Sequence, residues 1–278
     1  MTQNLDRIDY RKIIIGITCY NNENEVVEFC EQFNGISFGN SKIIICVTCN
    51  SICQIDYLID GLESIQADIR LYYPERNLGY LNGCLYGVSK IDELNIDDWI
   101  IVTNTDVVFD MKFFDVIFKG SNRNINIWCF GPDIVLPNGR KQNPFLKERL
   151  SLKTIKKLSI IHSNRIFLSI YTYLSRIKKR KLKSKNVNSG AVYAVHGSCF
   201  AICYDLFRIL QKKDNRIFMY GEELFIAELV RENDKIVWYE NSVLIKHNEN
   251  STTGLLSNKM KSKWYKDSFA YLLKTFNF

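Results

Sequence analysis

Three groups of side chains have the types and spacing of chemically active residues. Asp106 follows a short apolar run and is preceded by Asn104, so its carboxylate is placed to meet a divalent cation that holds a diphosphate. Glu222 and Glu223 follow an aromatic turn, where one carboxylate can take a proton from a substrate hydroxyl while the other positions it. His247 ends an apolar segment and can bind a metal or contact a phosphate.

Each of these groups also has a purely structural explanation, and the residues alone leave both open. Asp106 can cap the segment that follows it. Acidic residues in the first turn of a helix are favoured by the helix dipole, which accounts for Glu222 and Glu223 equally well. A fourth group, the loop 77–80, permits close backbone approach at Gly79 but lacks the Gly-Lys-Ser/Thr of a phosphate-binding loop. No Gly-x-Gly-x-x-Gly follows the first strand, which counts against a nicotinamide dehydrogenase.

The elements that must position these groups are short apolar runs alternating with helical patterns. Runs rich in β-branched residues predict buried strands at 13–18, 42–48, 69–73 and 99–103. Helical patterns lie between them, which predicts an α/β fold with a mostly parallel sheet covered on both faces. Ligands of such sheets bind at the carboxyl ends of the strands, and the polar clusters follow the predicted strands there.

Composition sets the class of protein. The 278 residues carry a net charge of +7 with 46% hydrophobic and 24% charged residues, values that exclude a disordered chain or a fibre. Only four Pro and 14 Gly favour one compact body. The nine Cys are an odd number scattered through apolar runs, as expected in a reducing cytoplasm, and Cys46, Cys49 and Cys53 lack the second pair that a zinc site needs. No apolar run reaches the length of a membrane span.

Six short motifs along the chain resemble, in type and in order, those of family 2 glycosyltransferases with the GT-A fold, especially the rhamnosyltransferase-like branch. That family's fold is a Rossmann-like, mostly parallel sheet flanked by helices. The resemblance implies a single domain, with a nucleotide-sugar half at 12–120, an acceptor half at 121–257 and a C-terminal helix at 258–278. The motifs are Ile14–Asn22, Asn77-Leu78-Gly79-Tyr80, Asn104-Thr105-Asp106-Val107, Gly197-Ser198-Cys199-Phe200, Phe218–Glu223, and His247 with Ser251-Thr252.

The resemblance implies inverting transfer from a dTDP-, UDP- or GDP-linked sugar to a saccharide or lipid-linked acceptor in cell-surface polysaccharide synthesis. Asp106 and His247 would hold Mn²⁺ or Mg²⁺, Glu223 would be the general base, and Glu222 would orient it or the acceptor. The implied acceptor residues are Gly197, Ser198 and Tyr220. The implied nucleotide-sugar residues are Thr18, Tyr20, Asn21, Asn50, Ser51, Asn77, Gly79, Asn104, Thr105 and Asp106.

Three departures from the family pattern bear on these roles. Thr48-Cys49 stands where the family has Asp-Asn after the second strand, so the usual base-reading Asp is missing. Cys84-Leu85 stands where the helix after Gly79 usually carries Asn. Glu223 replaces the common Asp. A degenerate GT-A domain that binds without transferring is therefore an alternative.

A basic helical insert at 146–185 accounts for the net positive charge of the chain. From Lys147 to Lys185 there are 13 Lys and Arg against the single acidic residue Glu148, whereas acidic residues outnumber basic ones elsewhere. Apolar residues recur there at helical spacing, which fits either a solvated helix or an interfacial helix on an anionic membrane. We expect a cytoplasmic enzyme on the inner face of the cell membrane. The alternative, a basic nucleic-acid-binding protein, has no accompanying motif, so no nucleic-acid partner is expected.

Overall fold

A computed structural model describes residues 12–37, 41–51, 55–92, 94–120, 126–170, 187–249 and 257–278. The predicted Ser251-Thr252 motif, the end of the basic insert at 171–186 and Cys53 lie outside these residues. No helix among them combines the length and apolar character needed to cross a bilayer.

The strands form one mixed sheet of nine, in the order β3-β2-β1-β4-β8-β6-β9-β5, with β7 pairing to β9. The half formed by β3, β2, β1 and β4 is parallel throughout. Antiparallel pairings of β8 with β4 and β6 join the other half to it. The strands are β1 Lys12–Cys19, β2 Lys42–Cys49, β3 Asp68–Tyr72, β4 Trp99–Thr103, β5 Val107–Val108, β6 Ile127–Val135, β7 Gly190–Val192, β8 Cys199–Cys203 and β9 Ile236–His247.

Helices cover both faces of the sheet, as the sequence predicts. They are α1 Glu23–Glu31, α2 Ile55–Glu63, α3 Tyr80–Val88, α4 Lys112–Gly120, α5 Leu152–Ser163, α6 Tyr204–Lys212, α7 Glu222–Glu232 and α8 Asn258–Thr275.

Strand β1 shows why the sheet is buried on both faces. Ile14 packs into one hydrophobic cluster, with α3, α6, α7 and α8, whereas Ile13 and Ile15 pack into another, with α1, α2 and α4. Successive side chains of a strand point to opposite faces, so a continuous apolar run is expected where both faces are covered.

Strand β6 and helix α6 were not predicted from the sequence. Strand β6 contains Gly131-Pro132-Asp133, residues that normally indicate a turn, and its register with β9 shifts between Pro132 and Asp133. Helix α6 directly follows β8, without an intervening turn signal. Both belong to the second half of the fold, and α6 also contacts β4 of the parallel half.

Glu228 on α7 anchors the start of the insert and the end of the chain. Its buried carboxylate accepts two hydrogen bonds from Arg149, at 2.7 and 2.9 Å, two from Arg231, and one from the Tyr193 hydroxyl at 2.6 Å. Arg149 also donates to the Asn277 carbonyl oxygen. Burial alone would raise the pKa of Glu228, but these donors hold it below its ordinary value.

Candidate active site

A cavity of about 240 Å³ lies where the carboxyl ends of β1, β2 and β4 meet. Eight of the ten predicted nucleotide-sugar residues line this cavity: Thr18, Tyr20, Asn50, Asn77, Gly79, Asn104, Thr105 and Asp106. The other two, Asn21 and Ser51, do not line it. Instead, the Asn21 N–H donates to Ser51 Oγ at 3.4 Å.

Asn50 shapes this cavity by holding the loop 77–79. Its amide nitrogen donates to the Gly79 carbonyl at 2.8 Å, and its amide oxygen accepts from the Leu78 N–H at 3.1 Å. Thr48, at the position of the missing Asp, turns to α3, where its hydroxyl accepts from the Gly87 N–H at 3.2 Å. The predicted contact from Asn50 to a ligand therefore competes with its contacts to the loop.

The same loop is joined to the segment that precedes the two glutamates. Gly79 has φ +78°, and a Cβ there would stand 2.0 Å from the Phe218 carbonyl oxygen, so only glycine fits. The next residue, Tyr80, donates its N–H to that oxygen at 2.9 Å and its hydroxyl to the Gly197 carbonyl at 2.7 Å. Three motifs that are far apart in sequence thus form one rigid contact.

Asp106 and His247 come together at the edge of the cavity. Val107 pairs with His247 across β5 and β9, which brings His247 Nε2 within 3.1 Å of Asp106 Oδ1. Both groups are buried, and neither carboxylate oxygen of Asp106 has a hydrogen-bond partner among the described residues. Gln142 Oε1 lies 2.7 Å from His247 Nδ1, a contact that orients the imidazole ring with Nε2 towards Asp106.

This arrangement fits a divalent cation. A buried carboxylate without hydrogen bonds is costly unless a cation meets it, and His247 Nε2, a nitrogen of the kind that ligates metals, faces the same carboxylate. The Asn104 amide nitrogen also lies 3.4 Å from His247 Nε2. No group of three or more His, Cys, Asp or Glu that would suit a metal occurs among the described residues. Mg²⁺ is usually held by one or two protein ligands together with phosphate oxygens and water, so the Asp106–His247 pair suits an ion that arrives with a diphosphate.

A second cavity, of about 570 Å³, adjoins the first and contains the two glutamates. They occupy the first turn of α7, which begins after Gly221 at φ +104°. Glu223 Oε1 accepts from the Gly197 N–H at 3.2 Å, whereas Glu222 Oε2 is buried without a partner among the described residues.

The two glutamates have different electrostatic surroundings. Burial raises the pKa of both, and the negative charge of Glu223 raises that of Glu222 further. Glu222 therefore keeps its proton to higher pH, and Glu223 is the member of the pair that ionises first. The predicted acceptor residues Gly197, Ser198 and Tyr220 line the same cavity, and the Tyr220 ring stacks on Tyr265 at 4.4 Å between centroids.

Several residues at the two cavities were not predicted to belong to the site. Glu25 lines the first cavity and accepts hydrogen bonds from Asn22 Nδ2 and the Thr105 hydroxyl. The spacing Asn22-x-x-Glu25 resembles a capping box and was the available signal. Gln142 and Trp264 have no such signal, because only the folded chain brings them to His247 and to the first cavity.

No family model and no curated protein matches this sequence. Three solved structures are similar in fold. GalNAc-T7, solved with UDP, GalNAc and Mn²⁺, is 12% identical with a TM-score of 0.51, over 87% of this chain and 44% of that one. The mannosyltransferase PcManGT from Pyrobaculum calidifontis, solved with GDP-Man and Mn²⁺, is 8% identical with a TM-score of 0.54, over 94% and 70%. A mycobacterial protein is 9% identical with a TM-score of 0.51, over 93% and 74%.

These similarities define the fold class. The chain has the GT-A glycosyltransferase fold, a mixed α/β architecture with a central sheet flanked by helices, and the fold predicted from the sequence is confirmed. It spans less than half the length of GalNAc-T7.

Proposed function

We propose that this protein is an inverting, divalent-cation-dependent glycosyltransferase. It transfers a hexose from a nucleotide-diphosphate sugar to a saccharide acceptor. The observation that carries the proposal is the juxtaposition of two carboxylate sites in adjoining cavities. Asp106 lines the first cavity, whereas Glu222, Glu223 and His247 line the second, and the His247 ring reaches Asp106 where the two cavities adjoin. Tyr80, Asn104 and Met219 line both, so ligands bound in the two cavities would meet there.

In the first cavity, Asp106 and His247 would hold Mn²⁺ or Mg²⁺. When bound, that ion would neutralise the charge that develops on the leaving diphosphate. Asn77, Gly79 and Thr105 line the surrounding wall and would bind and orient the nucleotide. The nucleotide is a UDP, GDP or dTDP derivative in our proposal, and the loss of the base-reading Asp at Thr48-Cys49 leaves the choice to experiment.

In the second cavity, Glu223 would accept the proton of the acceptor hydroxyl while that oxygen attacks C1 of the sugar. Attack from the face opposite the diphosphate inverts the configuration at C1. Glu223 suits this role because it ionises before Glu222 and is held by the Gly197 N–H. Glu222, protonated beside it, would position the acceptor together with Ser198 and Tyr220.

The motif order supports membership of family 2 and its rhamnosyltransferase-like branch. A lipid-linked acceptor, a role in cell-surface polysaccharide synthesis and a location on the inner face of the cell membrane are further parts of this proposal. They are supported by the basic insert and by the apolar wall of the second cavity.

Nucleotide binding is tested first. Thermal shift is measured with UDP, GDP and dTDP, each with Mn²⁺, Mg²⁺ or EDTA, because only ligands of the native state raise its stability. We expect one nucleotide to stabilise the protein, and only in the presence of the metal. If none does, the proposal fails.

Transfer is tested next, with the matching sugar nucleotides and the variants Glu223→Gln and Glu222→Gln. Loss of a general base typically lowers the rate by about 10²–10⁴-fold. We expect this loss for Glu223→Gln and a smaller one for Glu222→Gln, because glutamine resembles a protonated glutamate. Near-normal transfer by a folded Glu223→Gln protein would refute the base assignment. Nucleotide binding without transfer by the wild type would identify a degenerate domain.

A further inference from the structure

Helix α5 has two faces of different character. Ile155, Leu158 and His162 lie on one face, since positions three and four apart share a side of a helix. Ile155 is fully buried, while Leu158 and His162 line the second cavity. Lys153, Lys157 and Ile160 lie on the other side and are exposed.

The outer face continues into a surface that combines apolar and basic groups. We call it the α5 surface and define it by Leu152, Lys153, Lys156, Lys157, Ile160, Ile166 and Phe167. Ile160 and Ile166 are 64% and 66% exposed, and an open groove runs among most of the others. Exposed aliphatic side chains that cluster around a groove often indicate an interaction site.

The charge of the α5 surface indicates what kind of partner it binds. Residues 150–170 include four basic side chains and no acidic one. Within the described parts of the chain, no carboxylate forms an ion pair with Lys153, Lys156 or Lys157. A surface that presents aliphatic groups between unpaired lysines complements an anionic lipid bilayer, which offers both hydrocarbon and negative headgroups.

The inner face of α5 belongs to the apolar end of the second cavity. Leu146, Leu150 and Leu158 line that end together with Phe145 and Phe269. The His162 ring packs against Tyr265 of α8 at 4.6 Å between centroids. A saccharide needs hydrogen-bonding partners, which the glutamate end of the cavity supplies, whereas leucine and phenylalanine side chains dominate this end. The ligand portion that fits here is hydrocarbon.

We propose that the α5 surface seats the protein on an anionic bilayer, while the inner face of α5 guides the hydrocarbon part of a membrane-resident acceptor into the second cavity. The inference rests on the proposed function for the identity of the acceptor, and it adds the route by which that acceptor arrives. One helix then serves as both membrane contact and cavity wall.

The membrane contact is tested by sedimentation of the full chain with phosphatidylcholine vesicles, with and without about one third phosphatidylglycerol. We expect binding only to the anionic vesicles at low salt. The triple variant Lys153→Gln, Lys156→Gln, Lys157→Gln should weaken binding about a hundredfold. The double variant Ile160→Ser, Ile166→Ser should weaken it about tenfold.

Matched variants elsewhere on the surface serve as controls. Lys90→Gln, Lys112→Gln, Lys212→Gln removes three exposed lysines from other parts of the surface, and Ile59→Ser, Ile96→Ser removes two exposed isoleucines. Both should bind vesicles like the wild type. Equal loss in controls and test variants, no binding by the wild type, or tighter binding to single-stranded DNA than to anionic vesicles would each overturn the proposed bilayer contact.

The cavity wall is tested with a soluble amphiphile. Octyl glucoside below its micelle concentration should raise the melting temperature, whereas methyl glucoside should not. The shift should disappear in Leu158→Gln and persist in Leu94→Gln, a partly buried leucine outside the cavity. Equal shifts with both glucosides, or none, would overturn the proposed route.

These results are separable from those that test the proposed function. The nucleotide–metal thermal shift needs neither vesicles nor amphiphile, so its failure would refute the glycosyltransferase assignment even if the α5 surface binds lipid. Conversely, if the protein binds nucleotide and metal but binds neither vesicles nor octyl glucoside, only the proposed membrane contact and acceptor route would be refuted.

Discussion

His247 Nε2 faces Asp106 Oδ1 at 3.1 Å, and the pairing of β5 with β9 fixes this separation through the backbone. Gln142 Oε1 lies 2.7 Å from the other ring nitrogen and orients the ring. Both groups are buried, and neither oxygen of the Asp106 carboxylate has a hydrogen-bond partner among the described residues. A buried carboxylate without hydrogen bonds is costly unless a cation meets it, so the register of two strands holds this pair in an arrangement that favours cation binding.

Asp106→Asn is the first variant that this relationship predicts. The amide keeps the shape of the side chain but removes its charge. The affinity of the protein for the nucleotide in the presence of the metal should therefore fall by at least about tenfold. The metal-free protein should gain about 1 kcal/mol in its free energy of unfolding, because an unsatisfied buried carboxylate is removed. Thermal shift with Mn²⁺ and nucleotide, together with urea unfolding in EDTA, measures the two effects. The exposed Asp97→Asn is the control, and a large loss of stability in Asp106→Asn would contradict this account.

Gly79→Ala tests the contact between the loop 77–80 and Phe218. An added Cβ would stand 2.0 Å from a backbone oxygen, so the loop must move, and we expect a destabilisation of about 3 kcal/mol with loss of nucleotide binding. Gly139→Ala is closely matched. Gly139 has φ +77° and nothing within 4 Å of the added Cβ, so only the backbone strain of about 1 kcal/mol remains. Equal urea-unfolding values for the two variants would show that the Phe218 contact is unimportant.

The glutamate pair predicts how stability depends on pH. Glu222 has a raised pKa in the folded protein because of burial and the charge of Glu223. In the unfolded chain it ionises at its ordinary, lower pKa. Between these values the unfolded state binds fewer protons, so stability falls as the pH rises, by at most about 1.4 kcal/mol per pH unit for this group. Urea unfolding across that range should show a smaller fall in Glu222→Gln. An unchanged slope would mean that Glu222 is ionised in the fold.

Glu228→Gln tests the anchor between α7, the start of the insert and the chain end. Glutamine keeps the size of the side chain but weakens the hydrogen bonds from Arg149 and Arg231. We expect a loss of about 2 kcal/mol, below the range for fully buried pairs because Arg231 is 42% exposed. Because the pKa of Glu228 is lowered in the folded protein, the wild type keeps this contribution above the ordinary pKa of a glutamate and loses it as the pH falls from there through the lowered pKa. The exposed Glu232→Gln should be neutral in the same urea titration.

The parallel half of the fold was predictable because three of its strands, β1, β2 and β4, are mostly apolar runs. Ile13 to Thr18 is buried on both faces of the sheet. A strand of this kind is a continuous apolar run, which can be recognised without knowing which strands and helices pack against it. Strand β6 was not predictable, since Pro132 stands at a register shift that only its pairing with β9 makes acceptable.

The site divides in the same way. Asp106, Glu223 and Gly79 follow the ends of elements that local patterns reveal, and the structure places them at the two adjoining cavities. Gln142 orients the ring of His247, and no local pattern records a contact that depends on the pairing of β5, β6 and β9. The residues to which we assign the chemistry were visible in the sequence, whereas Gln142, which orients His247, was not.

Within the described residues, only Tyr80, Asn104 and Met219 line both cavities. The remaining walls of the two cavities come from different side chains, although His247 of the second contacts Asp106 of the first. In evolutionary terms, the proposed donor cavity can therefore change by substitution while the proposed acceptor cavity is kept, or the reverse. The same division offers an engineer two separate sets of positions for redirecting specificity.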